Sequence, residues 1–201
     1  MAELEALLSP DERARAASFR SPLDADRFVI RRGLLRTLLS FYLPAEPADI
    51  RFVNGCCGKP LLDPGRHAPG LSFNLAHAGD MVLYAVTGGR AVGVDVEFVE
   101  PLPDLEGLTT SVLTRREAAV IRTLPEDQRL VAFFKDWTRK EAYLKALGDG
   151  LARPPDQVDV GQAFRIETIV PAQGYLGAVA AEGDLWHLRW LDWPPESSAP
   201  C

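Results

Sequence analysis

Twice along this chain, segments with helical spacing give way to short apolar runs of strand texture, and Pro101-Leu102-Pro103 stands between the two rounds. That order constrains the fold most, because helices and strands that are segregated rather than alternating build an α+β architecture. Two α+β halves, 1–100 and 101–201, follow from the break. With 201 residues, 47% of them hydrophobic, the chain can bury a substantial core.

In the first round, Ser9-Pro10-Asp11-Glu12 reads as a helix start, with Ser9 as N-cap, Pro10 at the first helical position and Glu12 placed for a capping box. That helix should end near Phe19. From Asp24 to Tyr42, Ile30, Leu34, Leu38 and Phe41 recur at helical spacing, and Arg27, Arg31, Arg32 and Arg36 form a basic flank. Strands are expected at Ile50 to Val53, Leu71 to Leu75, Met81 to Thr87 and Gly93 to Phe98, with Gly88-Gly89 suited to a hairpin turn. The second round opens on a capping box, Thr114-Arg115-Arg116-Glu117, and continues as a long helix from about Glu126 to Leu147, stopped by Gly148. Strands are expected again at Ala163 to Val170, Leu176 to Ala181 and Leu185 to Leu191, and the Pro-rich run from Pro194 to Pro200 reads as a frayed tail.

The balance of 28 acidic against 22 basic side chains gives a net charge of -6, which disfavours a general nucleic-acid binder. The acidic start and the lack of any apolar run near ~20 residues imply a soluble cytoplasmic protein without membrane partners. Cys56, Cys57 and Cys201 have neither disulfide-framework nor zinc spacing and read as reduced thiols.

In Gly93-Val-Asp-Val-Glu-Phe98, alternation puts Val94, Val96 and Phe98 on one face and Asp95 with Glu97 on the other. This is either a half-exposed strand with a wet polar face or a pair of carboxylates around a cation. On the long helix, Leu130, Phe134, Trp137, Glu141 and Leu144 follow the spacing of a buried stripe, so Glu141 needs a partner. Lys145, one turn on, is one candidate and a metal is the other. Three carboxylates without a Cys or His cluster favour magnesium over zinc or copper. Phe73-Asn-Leu-Ala-His77 leads a strand into a histidine flanked by small residues, and Gly58-Lys59-Pro60 presents a lysine between turn residues; alone, each is weak.

In this order Gly58-Lys-Pro60, Phe73-Asn-Leu-Ala-His77, Gly93-Val-Asp-Val-Glu97 and Trp137-Thr-Arg-Lys-Glu-Ala-Tyr-Leu-Lys145 resemble the signature of the surfactin-type (Sfp-type) phosphopantetheinyl transferases, over about residues 9 to 151. The resemblance implies two similar halves in a pseudo-twofold arrangement within a monomer, with coenzyme A in the cleft between them. It implies that Asp95, Glu97 and Glu141 hold magnesium on the coenzyme A pyrophosphate, with Glu141 also the general base. It further implies that Lys59, His77, Lys145 and N-terminal arginines, here Arg27, Arg32 and Arg15, hold phosphates. The expected reaction moves 4'-phosphopantetheine from coenzyme A to a serine of an apo acyl or peptidyl carrier protein, releasing adenosine 3',5'-bisphosphate. Arg115 and Arg116 are candidates for docking that carrier. The chain departs from the family in reading Ala76-His77-Ala78 for Ser-His-Ser, and in placing Glu12 where some relatives have a lysine. Two rival readings are a metal-dependent exonuclease, since an Asp-x-Glu pair on a strand also opens two-metal sites, and a coenzyme A-binding or carrier-docking module without turnover.

Overall fold

The computed structural model describes residues 1–55, 58–67, 69–148, 154–158 and 163–192. Cys56, Cys57, Cys201 and the expected tail lie outside them. The fold is α+β, and tertiary contacts divide it into two compact units. One comprises Met1–Arg51, Gly65–His67 and Leu185–Cys201; the other comprises Phe52–Pro64 and Ala68–Asp184. These units are drawn differently from the expected halves, because strands from either side of residue 100 pair in one sheet.

The first unit is helical: α1 (Ala2–Ala6), α2 (Pro10–Ala17) and α3 (Pro22–Ser40). The predicted start of α2 holds, whereas α3 begins at Pro22, two residues before the expected Asp24. The Ser9 amide donates to Glu12 Oε2 at 3.0 Å, and Ser21 caps α3 through a bond from the Asp24 amide. α1 reaches α3 where Gly33 leaves room, since a β-carbon there would stand 2.7 Å from Leu4 Cβ. The buried face of α3 is offset from the expected one: Phe28, Val29, Leu35, Arg36 and Leu39 are enclosed, while Phe41 is exposed. Arg36, expected on the basic flank, is buried because Glu12 comes to it. Its Nε and Nη2 donate to Glu12 Oε2 at 2.8 and 2.7 Å, and its Nη1 donates to the carbonyls of Pro47 and Ile50. Glu12 thus serves the α2 cap and the arginine together, which is the satisfied arrangement a buried charge requires.

The second unit holds the strands, with β1 (Phe52–Asn54) and β2 (Pro60–Leu62) forming a small antiparallel pair. β3 (Leu71–Ala78) pairs with β4 (Met81–Gly88), and β5 (Val92–Phe98) pairs with β7 (Tyr175–Glu182), which also pairs with β6 (Phe164–Ile169). Between them run α4 (Leu105–Val112), α5 (Arg115–Thr123) and α6 (Glu126–Leu147). Gly148 ends α6 at φ +79°, the left-handed stop the sequence predicts. Two strand expectations fail. Gly88-Gly89 does not close a hairpin, since β4 turns back on β3 through Gly79-Asp80, with Gly79 at φ +54°, while β5 takes β7 as partner. Leu185 to Leu191 forms no strand: β7 already has β5 and β6 on its two edges, and Leu185, Trp190 and Leu191 are exposed.

α6 lies directly on β5. A β-carbon at Gly93 would stand 2.0 Å from the Ala142 carbonyl oxygen and 2.4 Å from the Ala146 amide nitrogen, so only glycine lets strand and helix backbones meet there. Ala142, Leu144 and Ala146 bury themselves in the core with Ala178 and Ala180 of β7. Because both colliding partners of such a β-carbon are backbone, Gly93→Ala should cost about 3 kcal/mol or more in denaturant unfolding. A loss under about 0.5 kcal/mol, the scale of an ordinary surface change, would contradict this crossing.

Candidate functional site

The close crossing sets strand side chains against one stripe of the helix. Trp137, Glu141 and Lys145 stand one turn apart along α6, and Asp95 and Glu97 share a face of β5. Lys145 Nζ donates to Asp95 Oδ1 at 2.6 Å, and Trp137 Nε1 donates to Glu97 Oε1 at 3.3 Å. Glu141 lies between those two rungs. The simple Glu141–Lys145 pair is therefore not formed, since Lys145 bridges to the strand instead.

Asp95 Oδ2 and Glu141 Oε1 are buried without a hydrogen-bond partner. Burial pushes the Asp95 carboxyl above its ordinary range against the opposing pull of Lys145. Burial, followed by the negative charge of Asp95, raises Glu97 and Glu141 as well. The three carboxylates expected from sequence are thus electrostatic neighbours. Among the described residues, however, no three His, Cys, Asp or Glu side chains converge in a metal-holding group. Orphaned oxygens, desolvation and mutual repulsion in an all-oxygen donor set nevertheless fit a hard divalent cation better than they fit a water-filled polar face.

Lys59 is placed near this cluster but reaches main chain: its Nζ donates to the Val92 carbonyl at 3.4 Å and to the Lys145 carbonyl. Its own burial and then the charge of Lys145 lower its pKa. His77 is exposed on β3, two residues before the Gly79 turn. Ala76 beside it is enclosed, so a hydroxyl there would face protein. Arg15, Arg27 and Arg32 belong to the helical unit. Arg15 and Arg32 come together around one ring, with guanidinium carbons 5.9 and 5.6 Å from the Phe28 centroid, and Arg32 lies 3.8 Å from Glu12.

The sequence reading missed Lys140. Completely enclosed, it donates to Glu117 Oε2 at 2.6 Å and to the Val112 carbonyl at 3.3 Å. Glu117 at the same time accepts from the Thr114 amide, closing the predicted capping box of α5. A signal was available: Phe133, Trp137, Lys140 and Leu144 fall on one helical stripe, so the lysine stands in an apolar row. The bond ties α6 to the end of α4 and the start of α5 at the residue before Glu141.

Comparison with known proteins bears on the same segments. The family description "4'-phosphopantetheinyl transferase, N-terminal" matches residues 1–88, and "4'-phosphopantetheinyl transferase superfamily" matches residues 91–180. The chain is 38% identical over 199 residues to the 4'-phosphopantetheinyl transferase HetI of Nostoc sp., covering 94% of this chain and 84% of that protein. It is 28% identical over 153 residues to the 4'-phosphopantetheinyl transferase Sfp of Bacillus subtilis, covering 76% of this chain and 66% of that protein. With the human L-aminoadipate-semialdehyde dehydrogenase-phosphopantetheinyl transferase the identity is 26% over 175 residues, covering 79% of this chain and 57% of the relative.

A folded chain that raises the pKa of Asp95, Glu97 and Glu141 holds their protons to higher pH than the unfolded chain does. In chelator, the unfolding free energy should therefore fall as pH rises from about 4, the ordinary carboxylate value, through the raised range. Glu141→Gln should make that fall shallower and be at least as stable as the parent at neutral pH. A Gln variant less stable by about 1 kcal/mol would show that the Glu141 charge has a compensating partner.

Proposed function

The chain belongs to the 4'-phosphopantetheinyl transferase superfamily, and from that premise we propose that it transfers the 4'-phosphopantetheine of coenzyme A to a serine of an apo acyl or peptidyl carrier protein. The observation that supports this reading most is the β5–α6 cluster. Three desolvated carboxylates, a lysine and a tryptophan N–H meet where the family's Asp-x-Glu and Trp-Thr-Arg-Lys-Glu motifs face each other.

In this reading Asp95, Glu97 and Glu141 would hold magnesium, which supplies positive charge against the pyrophosphate of coenzyme A. The serine Oγ attacks the β-phosphorus while the bond from that phosphorus to the bridging oxygen breaks, and adenosine 3',5'-bisphosphate leaves. Glu141 takes the serine proton at its unbonded Oε1, directly or through a water. Lys145, held beside Asp95, meets a phosphate oxygen, while His77, Lys59, Arg15, Arg27 and Arg32 supply further phosphate contacts. Since phosphoryl transfer depends mainly on positioning and charge stabilisation, rigid attachment of α6 to β5 through Gly93 serves the reaction directly.

The pseudo-twofold relation of halves 1–100 and 101–201 belongs to the same proposal, supported by the two family descriptions meeting between residues 88 and 91. So do action as a monomer in the cytoplasm and the absence of nucleic-acid or membrane partners; the net charge of -6 supports the lack of a nucleic-acid partner. The exonuclease reading is not favoured, because the relatives matched are named phosphopantetheinyl transferases.

Intact-mass measurement of an apo carrier protein incubated with the chain, coenzyme A and magnesium should show a gain of one phosphopantetheine unit, lost in excess chelator and in Asp95→Ala. Full transfer in chelator would remove the metal from the proposal. No transfer to acyl or peptidyl carriers, with coenzyme A bound, would favour a docking module without turnover.

A further inference from the structure

β3 and β5 carry two of the four motifs, His77 on one strand and Asp95 with Glu97 on the other, yet they lie in different sheets. β3 has β4 as its ladder partner and β5 has β7. Among the described residues no ladder joins the two motif strands, although they pack closely against each other. A side chain takes that place. Asn74, enclosed at 6% exposure, accepts a bond from the Val94 main-chain amide through its Oδ1 at 2.8 Å. Val94 immediately precedes Asp95, and Asn74 stands three residues before His77.

The surroundings sharpen the point. Ala76, which shares the face of β3 that carries Asn74, is enclosed and apolar, so the interior on that side does not call for an amide. A buried polar side chain is disfavoured unless bonded, and an apolar residue of similar volume would fill the space at least as well. What the amide supplies and a leucine would not is direction: one acceptor at one depth along β5. The same bond joins the segment matched by the N-terminal family description to the segment matched by the second.

We propose that Asn74 is a positioning residue for transfer, its side-chain carbonyl setting the register of the histidine strand β3 against the carboxylate strand β5, and so the separation between nucleotide contacts and the reacting phosphorus. This inference rests on the function proposed above, but the link itself can be measured without turnover.

Asn74→Leu removes the acceptor at nearly constant volume, and Asn74→Thr keeps a side-chain oxygen on a residue suited to strands. At a temperature where circular dichroism shows both variants folded, Asn74→Leu should lose about tenfold or more in kcat/KM for coenzyme A, with Asn74→Thr intermediate and the KM for the carrier unchanged. Loss of protection of the Val94 amide against hydrogen exchange, read without substrate, should accompany it. If Asn74→Leu unfolds, the comparison rests on Asn74→Thr, which should show a smaller loss of the same kind. A lowered thermal midpoint with parental kcat and KM would reduce Asn74 to a structural contact and overturn the proposal. Unchanged Val94 protection in Asn74→Leu would overturn the link. A parent that protects Val94 but transfers nothing would instead overturn the functional reading on which the proposal rests.

Discussion

The contact on which the rest of the second unit depends is the crossing of β5 and α6 at Gly93, where the absent β-carbon lets a strand touch the backbone of a helix. Asp95 and Glu97, two and four residues along β5, then fall within reach of Lys145 at the crossing and of Trp137 two turns before it on α6. Lys145 meets Asp95 and Trp137 meets Glu97, which leaves Glu141 facing the gap. Lys59 strengthens the same crossing by bonding the carbonyl of Val92 on the strand and that of Lys145 on the helix. Gly177 repeats the device on the other side of β5, since a β-carbon there would stand 2.5 Å from the Asp95 carbonyl oxygen.

Charge is handled in two contrasting ways. Arg36 with Glu12, and Lys140 with Glu117, are enclosed cations whose carboxylate partner also caps a helix, so each acid satisfies two demands at once. Breaking such a pair by removing one partner typically costs about 3–5 kcal/mol, because the other charge stays buried. The β5–α6 cluster is different: one lysine bridges to one of three carboxylates, and two buried oxygens have no partner. Structural pairs are closed, whereas this cluster retains unspent negative charge. Strongly perturbed carboxylates of that kind mark the cluster as a candidate functional site.

What the sequence revealed was local. Ser9 with Glu12 and Thr114 with Glu117 are three residues apart, Gly148 sits just past its helix, and Asp95 alternates with Val94 and Val96; each expectation rests on a period or a cap, and each holds. The failures are non-local. Gly88-Gly89 has good turn chemistry, but β5 found its partner nearly eighty residues later, in β7, and no turn rule contains that choice. From sequence Arg36 falls on a basic flank, because Glu12, its counter-charge, lies 24 residues away. Lys140 is hidden for the same reason, since Glu117 lies 23 residues away, although its apolar row is visible. At the site, the sequence marks Glu141 as a carboxylate in need of a partner and leaves Lys145 and a metal open; that Lys145 turns to Asp95 depends on the register of strand on helix.

The central claim is that Glu141 is kept in this cluster for chemistry and not for stability. The most direct measurement is single-turnover transfer to an apo carrier protein by folded Glu141→Gln beside the parent, at saturating coenzyme A and magnesium. Loss of general-base work alone is commonly worth roughly 10²- to 10⁴-fold, so the rate should fall about 100-fold or more. A Gln variant that transfers at the parental rate would remove Glu141 from the reaction and contradict the account.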